Sequence, residues 1–208
     1  LETRLGETAH LHPLCGRCAV VGSAADDRRV RAGTGGFPVG QPRLKTGDAI
    51  PLVQREQDEQ FTSKFITADP EVKSLADLKG KTFAFGSVSS TSGSLMPRYF
   101  MLKDGIQPEQ FFKRIAYSGA HDATAAWVEA GKADAGVLNA SVWDKLVAAG
   151  KVDTDKVRVI STTPPYYDYN WTVRGNLDPA LVDKIKAAFL ALDPANPEHK
   201  AILDLQAA

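Results

Sequence analysis

Thr82-Phe83-Ala84-Phe85-Gly86-Ser87-Val88-Ser89-Ser90-Thr91-Ser92-Gly93 is the stretch that decides how this chain is read. Residues 82–85 have the apolar character of a strand and residues 95–102 that of a helix, so strand passes to helix through small hydroxyl and glycine residues. A turn in that position presents backbone N–H groups, several hydroxyls and the positive end of a helix dipole together. That combination suits a tetrahedral oxyanion. Taken alone, a serine-rich turn is also an ordinary solvated loop or helix cap.

Working outward, the patterns alternate between strand and helix. Strands are expected at 49–54, 61–67, 82–85, 115–117, 133–138, 157–161 and 169–174. Helices are expected at 95–102, at 107–113 with Pro108 in the first turn, and at 123–130, 141–149, 179–192 and 198–205. Gly105, Gly131 and Gly150 stand where helices stop, Gly105 as a left-handed cap. Alternation of this kind implies an α/β fold with largely parallel strands and a ligand beyond their carboxyl ends.

Composition narrows the function. The 208 residues carry a formal net charge of +0 and no lysine or arginine stripe, which argues against nucleic acid and membrane surfaces as partners. No apolar run reaches the roughly 18 to 20 residues needed to span a bilayer. The first residues also lack the basic start, apolar centre and small-residue cleavage site of a signal peptide, so none is expected within this chain.

The chain changes character near residue 44. Before it stand Arg4, Arg17, Arg28, Arg29, Arg31 and Arg43, both cysteines and no lysine, whereas lysine is the usual cation afterwards. Residues 7–40 show no sustained period apart from Cys18-Ala19-Val20-Val21, and are expected to be irregular. His10, His12, Cys15 and Cys18 offer zinc-like atoms. Their four positions are crowded into nine residues, however, where zinc sites usually separate the two ligand pairs by about a dozen or more. Neither a metal nor a cofactor is expected.

Three features fall at strand ends: the hydroxyls of Ser89 to Ser92, His121 with Asp122, and Asp168 among Tyr166, Tyr167 and Tyr169. Converging, they would make an anion site. Ser90, Thr91, Ser92 and the imidazole would donate, while ionised Asp168 can only accept and would select an anion that keeps one proton. Each also has an ordinary structural use, His121 as a helix cap and Asp168 as a turn acid. Gly80-Lys81-Thr82 imitates the end of a P-loop, but Leu75 replaces the leading glycine and the triplet enters a strand. Ser92, His121 and Asp168 would serve as the nucleophile, base and orienter of a serine-dependent phosphoester or acyl hydrolase, the alternative reading. Ser90 and Ser94 nevertheless occupy the glycine positions of a nucleophile elbow.

At this point a resemblance enters. Leu75-Ala76-Asp77-Leu78-Lys79-Gly80-Lys81, Ser90-Thr91-Ser92-Gly93 with Leu95-Met96-Pro97-Arg98-Tyr99-Phe100, Ser118-Gly119-Ala120-His121-Asp122-Ala123, Ala135-Gly136-Val137-Leu138-Asn139 and Thr163-Pro164-Pro165-Tyr166-Tyr167-Asp168-Tyr169 occur in that order. From about residue 35 to 208 the chain thereby resembles the periplasmic phosphate/phosphite/phosphonate-type substrate-binding proteins of ABC importers. The resemblance implies a two-lobed type 2 α/β architecture with 1–65 and 170–208 in lobe I and 66–169 in lobe II. It implies crossovers at 61–65 and 166–171, and closure on a ligand read by the permease membrane subunits.

It further implies a small phosphorus-containing anion held by Ser90, Thr91, Ser92, His121 and Asp168, with Phe61 and Tyr166 as pocket aromatics. The protein would be a periplasmic or lipid-anchored monomer and not an enzyme. Phe61 stands where a tyrosine is common. Asn139, Ala140 and Ser141 offer no acid for an aminoethyl ammonium, which favours phosphite or methylphosphonate. Residues 7–34 resemble nothing in the family and have the composition of a shifted reading frame or rearranged piece, so lobe I is expected to be incomplete.

Overall fold

The computed structural model describes residues 9–14, 18–23, 33–34 and 49–205. The chain gathers into two compact units, residues 1–59 with 167–208, and residues 60–166.

The unit of residues 60–166 is built on a five-stranded sheet. Its strands, numbered with those of the other unit in chain order, are β5 (Ser63–Thr67), β6 (Thr82–Phe85), β7 (Arg114–Tyr117), β8 (Ala135–Asn139) and β9 (Arg158–Thr162), in the spatial order β7-β6-β8-β5-β9. Side chains alternate across it as the period of two requires. Phe65, Phe83, Phe85, Ala135 and Val137 face one layer, with Met101 and Phe112. Ile66 and Leu138 face the other, with Ala125, Val128 and Trp143. Helices α1 (Met96–Lys103) and α2 (Pro108–Phe111) supply Met101 and the chain leading to Phe112 on the first side. Helices α3 (His121–Glu129) and α4 (Ala140–Ala148) cover the second. Gly105 follows α1 at φ 78°, the left-handed stop that its position suggests.

One expectation needs correcting. The sheet is mixed and not largely parallel: β6 pairs in parallel with β7 and β8, while β5 pairs antiparallel with both β8 and β9. β5 alone is therefore reversed. It is the first strand of the unit and follows a short 3-10 turn at Glu56–Gln60, so no helical crossover within the sheet fixes its direction. The reversal brings its first residues to the edge where β6, β7, β8 and β9 end, Ser63 lying opposite Asn139.

In the other unit, β10 (Trp171–Arg174) pairs antiparallel with β3 (Gly33–Thr34) and β4 (Ala49–Val53). Trp171 and Val173 pack with Leu52, Val53, Leu177, Val182 and Phe189, the last three lying in or just before α5 (Pro179–Leu190). Helix α6 (Pro197–Leu205) follows. The expected irregularity of 7–40 is also corrected in part. β1 (Ala9–Leu14) and β2 (Cys18–Ser23) pair antiparallel from Ala9↔Ser23 to Leu14↔Cys18. A hairpin ladder is made by backbone groups and needs no apolar period in the side chains. The Cys15 position of the His/Cys cluster lies outside the described residues, as does most of 24–48. Among the described residues no helix is long and apolar enough to cross a membrane.

Among the described glycines, Gly136 leaves the least room for a side chain: an added methyl would lie 2.7 Å from Thr124 Cγ2 and 3.1 Å from the Ala84 carbonyl oxygen. Gly136→Ala should therefore push α3 off the sheet and lower unfolding free energy by about 1–3 kcal/mol, the usual cost of overpacking. Chemical denaturation of the two proteins measures it, and equal midpoints would contradict the packing described.

Candidate functional site

The hydroxyl turn owes its shape to two glycines and a serine cap. Gly86 N–H donates to the Gly93 carbonyl at 2.8 Å, and a methyl on Gly86 would come within 3.2 Å of Gly93 Cα. Only hydrogen-sized side chains let the two backbones meet there, and their meeting folds 87–92 into a closed loop. Ser90 Oγ then accepts from Gly93 N–H at 3.0 Å while the Ser90 carbonyl accepts from Leu95 N–H at 3.0 Å. The resulting wide turn, Thr91–Leu95, runs straight into α1, with Pro97 in its first turn. Because Ser90 Oγ only accepts in this cap, its hydrogen is still available to a ligand.

Ser92 sits inside the turn at 1% exposure, and its Oγ has no hydrogen-bond partner. A buried hydroxyl left in this state costs about 1–3 kcal/mol relative to a paired one, so folding gains nothing from placing it there.

His121 is carried to the same place by the next strand. Ser118 N–H donates to the Phe85 carbonyl at 2.9 Å and Gly119 N–H to the Gly86 carbonyl at 3.2 Å, so the loop after β7 is laced to the loop after β6. Gly119 makes the turn possible at φ 87°, a left-handed conformation. Ser118 Oγ lies 2.6 Å from Thr124 Oγ1 on α3, which fixes that helix against the loop. His121 is the first residue of α3 but not its cap: the cap position is Ala120, with no side-chain bond. A methyl on Gly93 would lie 3.1 Å from His121 Cε1, so the ring rests on the hydroxyl turn. Its Nδ1 accepts from Asn139 N–H at 3.3 Å. A neutral ring accepting at Nδ1 carries its hydrogen on Nε2, as a donor.

Phe61 and Tyr166 close the same edge of the sheet. They form an antiparallel bridge, Phe61 N–H to the Tyr166 carbonyl at 3.0 Å and the reverse at 2.9 Å, with ring centroids 6.0 Å apart. Asn139 ends β8 at this edge with its side-chain oxygen engaged: Oδ1 accepts from Ser141 N–H at 2.8 Å, Ser141 Oγ at 2.9 Å and Val142 N–H at 3.2 Å to cap α4.

Of the expected ligands, Ser90, Thr91, Ser92, His121, Phe61 and Tyr166 thus share the unit of residues 60–166 and its carboxyl edge. Asp168 belongs to the other unit, where it is 3% exposed and its N–H donates to the Asp58 carbonyl at 3.0 Å. Asp58 is itself 1% exposed and bound by Arg55 through Nε and Nη2, both at 2.6 Å. The Asp58 carboxylate raises the Arg55 pKa above its already high ordinary value, so the guanidinium stays charged beside Asp168.

Two residues at this edge escaped the sequence reading. Ser63 is buried with its hydroxyl on the Ser92 carbonyl, and Thr163 Oγ1 accepts from Ser63 N–H at 3.0 Å. The one available signal was a hydroxyl on the same face as Phe65 in an apolar strand. Among the described residues no group of three or more histidine, cysteine, aspartate or glutamate side chains is gathered to hold a metal.

A profile of the family described as "ABC transporter, phosphonate, periplasmic substrate-binding protein" matches residues 1–207. The chain is 37% identical over 183 residues to the probable ABC transporter phosphite binding protein PhnD1 of Prochlorococcus marinus (strain MIT 9301), covering 82% of this chain and 62% of that protein. To the phosphonates-binding periplasmic protein of Escherichia coli (strain K12) it is 30% identical over 145 residues, 67% of this chain and 42% of the relative. The chain therefore spans less than two thirds of the length of these curated relatives. The solved structure of PhnD1 in complex with methylphosphonate superposes with a TM-score of 0.73 at 36% identity, covering 84% of this chain and 68% of that one.

Ser90 and Ser92 should separate cleanly in a stability measurement. Ser90→Ala loses the cap on Gly93 N–H and is expected to cost about 1 kcal/mol. Ser92→Ala removes a hydroxyl with no partner and should leave thermal unfolding unchanged or slightly raised. A loss at Ser92 as large as that at Ser90 would show that its hydroxyl has a structural partner after all.

Proposed function

The chain belongs to the periplasmic phosphonate-type substrate-binding proteins of ABC transporters, with their α/β type 2 architecture present in part, and on that premise we propose that it captures a small phosphorus oxyanion without turnover and presents it to membrane permease subunits. The observation that carries this reading is the buried, unpartnered Ser92 hydroxyl on a turn heading α1, with the His121 ring against the same turn.

The roles follow from donor chemistry. Ser90, Thr91 and Ser92 give O–H donors, and His121 gives Nε2–H, to oxygens that share the anion's charge. Charge-assisted bonds of this kind are about twice as strong as neutral ones. Asp168 has no hydrogen to give when ionised and accepts one from a P–OH group, which favours a singly protonated phosphorus anion over sulfate. Phe61 adds an apolar ring where a small P–H or P–CH3 group is tolerated. Asn139, its oxygen taken by the α4 cap, supplies no carboxylate for an ammonium, and this supports phosphite or methylphosphonate over aminoethylphosphonate. PhnD1, similar to this chain, is described as a phosphite binding protein and has been solved with methylphosphonate.

We place the protein outside the cytoplasmic membrane, as the family description does, and expect it to act as a monomer. A serine hydrolase is disfavoured because Ser92 Oγ makes no hydrogen bond and so has no base poised to take its proton.

Calorimetric titration with phosphite, methylphosphonate, aminoethylphosphonate, phosphate and sulfate tests the proposal. Saturable binding is expected for phosphite or methylphosphonate and weaker binding for sulfate. Ser92→Ala should weaken the preferred ligand by about ten- to a hundredfold, the worth of one hydrogen bond to a charged group, without lowering the melting temperature. Silence with all five anions would remove the reading.

A further inference from the structure

Ser63 is a polar residue at 0% exposure in the first position of β5, and its hydroxyl makes two contacts. Its Oγ lies 2.7 Å from the Ser92 carbonyl oxygen and 2.7 Å from Tyr166 Oη. A carbonyl can only accept, so the single Ser63 hydrogen goes to Ser92. Tyr166 must then donate to Ser63, since otherwise two lone pairs would face each other at hydrogen-bond distance. The sequence Tyr166 O–H to Ser63 O–H to Ser92 C=O runs in one direction only.

The Ser92 carbonyl and the Gly93 N–H are the two ends of one peptide group, and Ser90 Oγ already holds the N–H end at 3.0 Å. That peptide is planar and rigid. Gripped from both sides, it cannot rotate without breaking a bond to Ser63 or to Ser90, so the backbone that carries the Ser92 side chain is held in place.

Resting on the reading that this turn binds an oxyanion, we propose that Ser63 is a positioning residue that sets the angle of the Ser92–Gly93 peptide and consumes the hydroxyl proton of Tyr166. Tyr166 therefore acts on the anion through Ser63 and does not donate to it directly. Its ring still packs against Phe61 and, at 6.3 Å between centroids, against Phe100 of α1.

A double-mutant cycle in the full chain tests this, using Ser63→Ala, Tyr166→Phe and the pair, with two readouts: methylphosphonate affinity, and amide hydrogen exchange at Gly93 and Leu95 with α4 as internal reference. Ser63→Ala is expected to weaken binding about tenfold, the worth of one lost hydrogen bond, and to speed exchange at Gly93 and Leu95 but not in α4. Tyr166→Phe should cost less, and should cost nothing more once Ser63 is alanine, because its effect passes through that hydroxyl. An equal loss from Tyr166→Phe in both backgrounds would make Tyr166 a direct donor and overturn the proposal. So would unchanged exchange at Gly93 and Leu95 in Ser63→Ala, or a loss of protection spread equally over α4. If the unmodified protein binds no methylphosphonate, the functional reading is what fails, and the exchange comparison still decides the role of Ser63. Tyr166→Phe keeps the ring and its packing against Phe61 and Phe100, so it supplies a folded variant with a smaller rise in Gly93 exchange even if Ser63→Ala does not fold.

Discussion

Strand β5 runs against the other four strands of the five-stranded sheet, and the composition of the candidate site follows from that direction. The strands β6, β7, β8 and β9 all end at one edge, where the Ser90–Ser92 turn, the His121 loop, Asn139 and Thr163 lie. Had β5 run with them, Phe61 and Ser63 would sit at the opposite edge. Because it is reversed, its first residues meet the last residues of the others, and the ladder Ser63↔Asn139 ties entering and leaving chain together. The Phe61–Tyr166 bridge continues this pairing beyond the strands. Backbone hydrogen bonds alone thus gather hydroxyls, an imidazole and two aromatic rings from segments up to 105 residues apart in sequence, Phe61 to Tyr166.

Around that edge, groups with a structural partner and groups without one are distinct in kind. Ser90 Oγ, Asn139 Oδ1 and Thr163 Oγ1 each accept from a backbone N–H, and each contributes to folding in the ordinary way. Ser92 Oγ contributes to nothing within the described residues. Proteins tolerate such a group when a ligand completes it, at the expense of the unliganded state. The Gly86–Gly93 contact belongs to the first kind, since it closes the loop, yet it also clears the space into which His121 leans. Small residues here serve geometry before chemistry.

The sequence was most readable where one local rule governed. Residues 82–85 form a strand to the residue, Gly105 stops α1, and Pro108 opens α2, because apolar period, positive φ and a missing N–H are properties of single positions. His121 near a helix start was legible for the same reason. The sequence reading was least reliable where partners are distant. Largely parallel strands were expected from the βα alternation, but alternation does not fix the direction of a strand such as β5 that no helical crossover precedes. Ser63 was given no role because its acceptor, the Ser92 carbonyl, is 29 residues away. The hairpin of β1 and β2 left no apolar period to find.

By itself, then, the chain's order of residues determined its class and the identity of its donors: an α/β protein whose strands deliver serine, threonine and histidine to helix starts, in motifs that resemble one family of binding proteins. Those are consequences of local propensity and of residue chemistry, which the unfolded chain already carries. The tertiary structure alone decided which way β5 runs, which hydroxyl is left without a partner, and which groups the Ser63 hydroxyl meets. Each of these depends on what a group meets across the sheet, and a hydrogen bond has a direction only when both of its ends are in place.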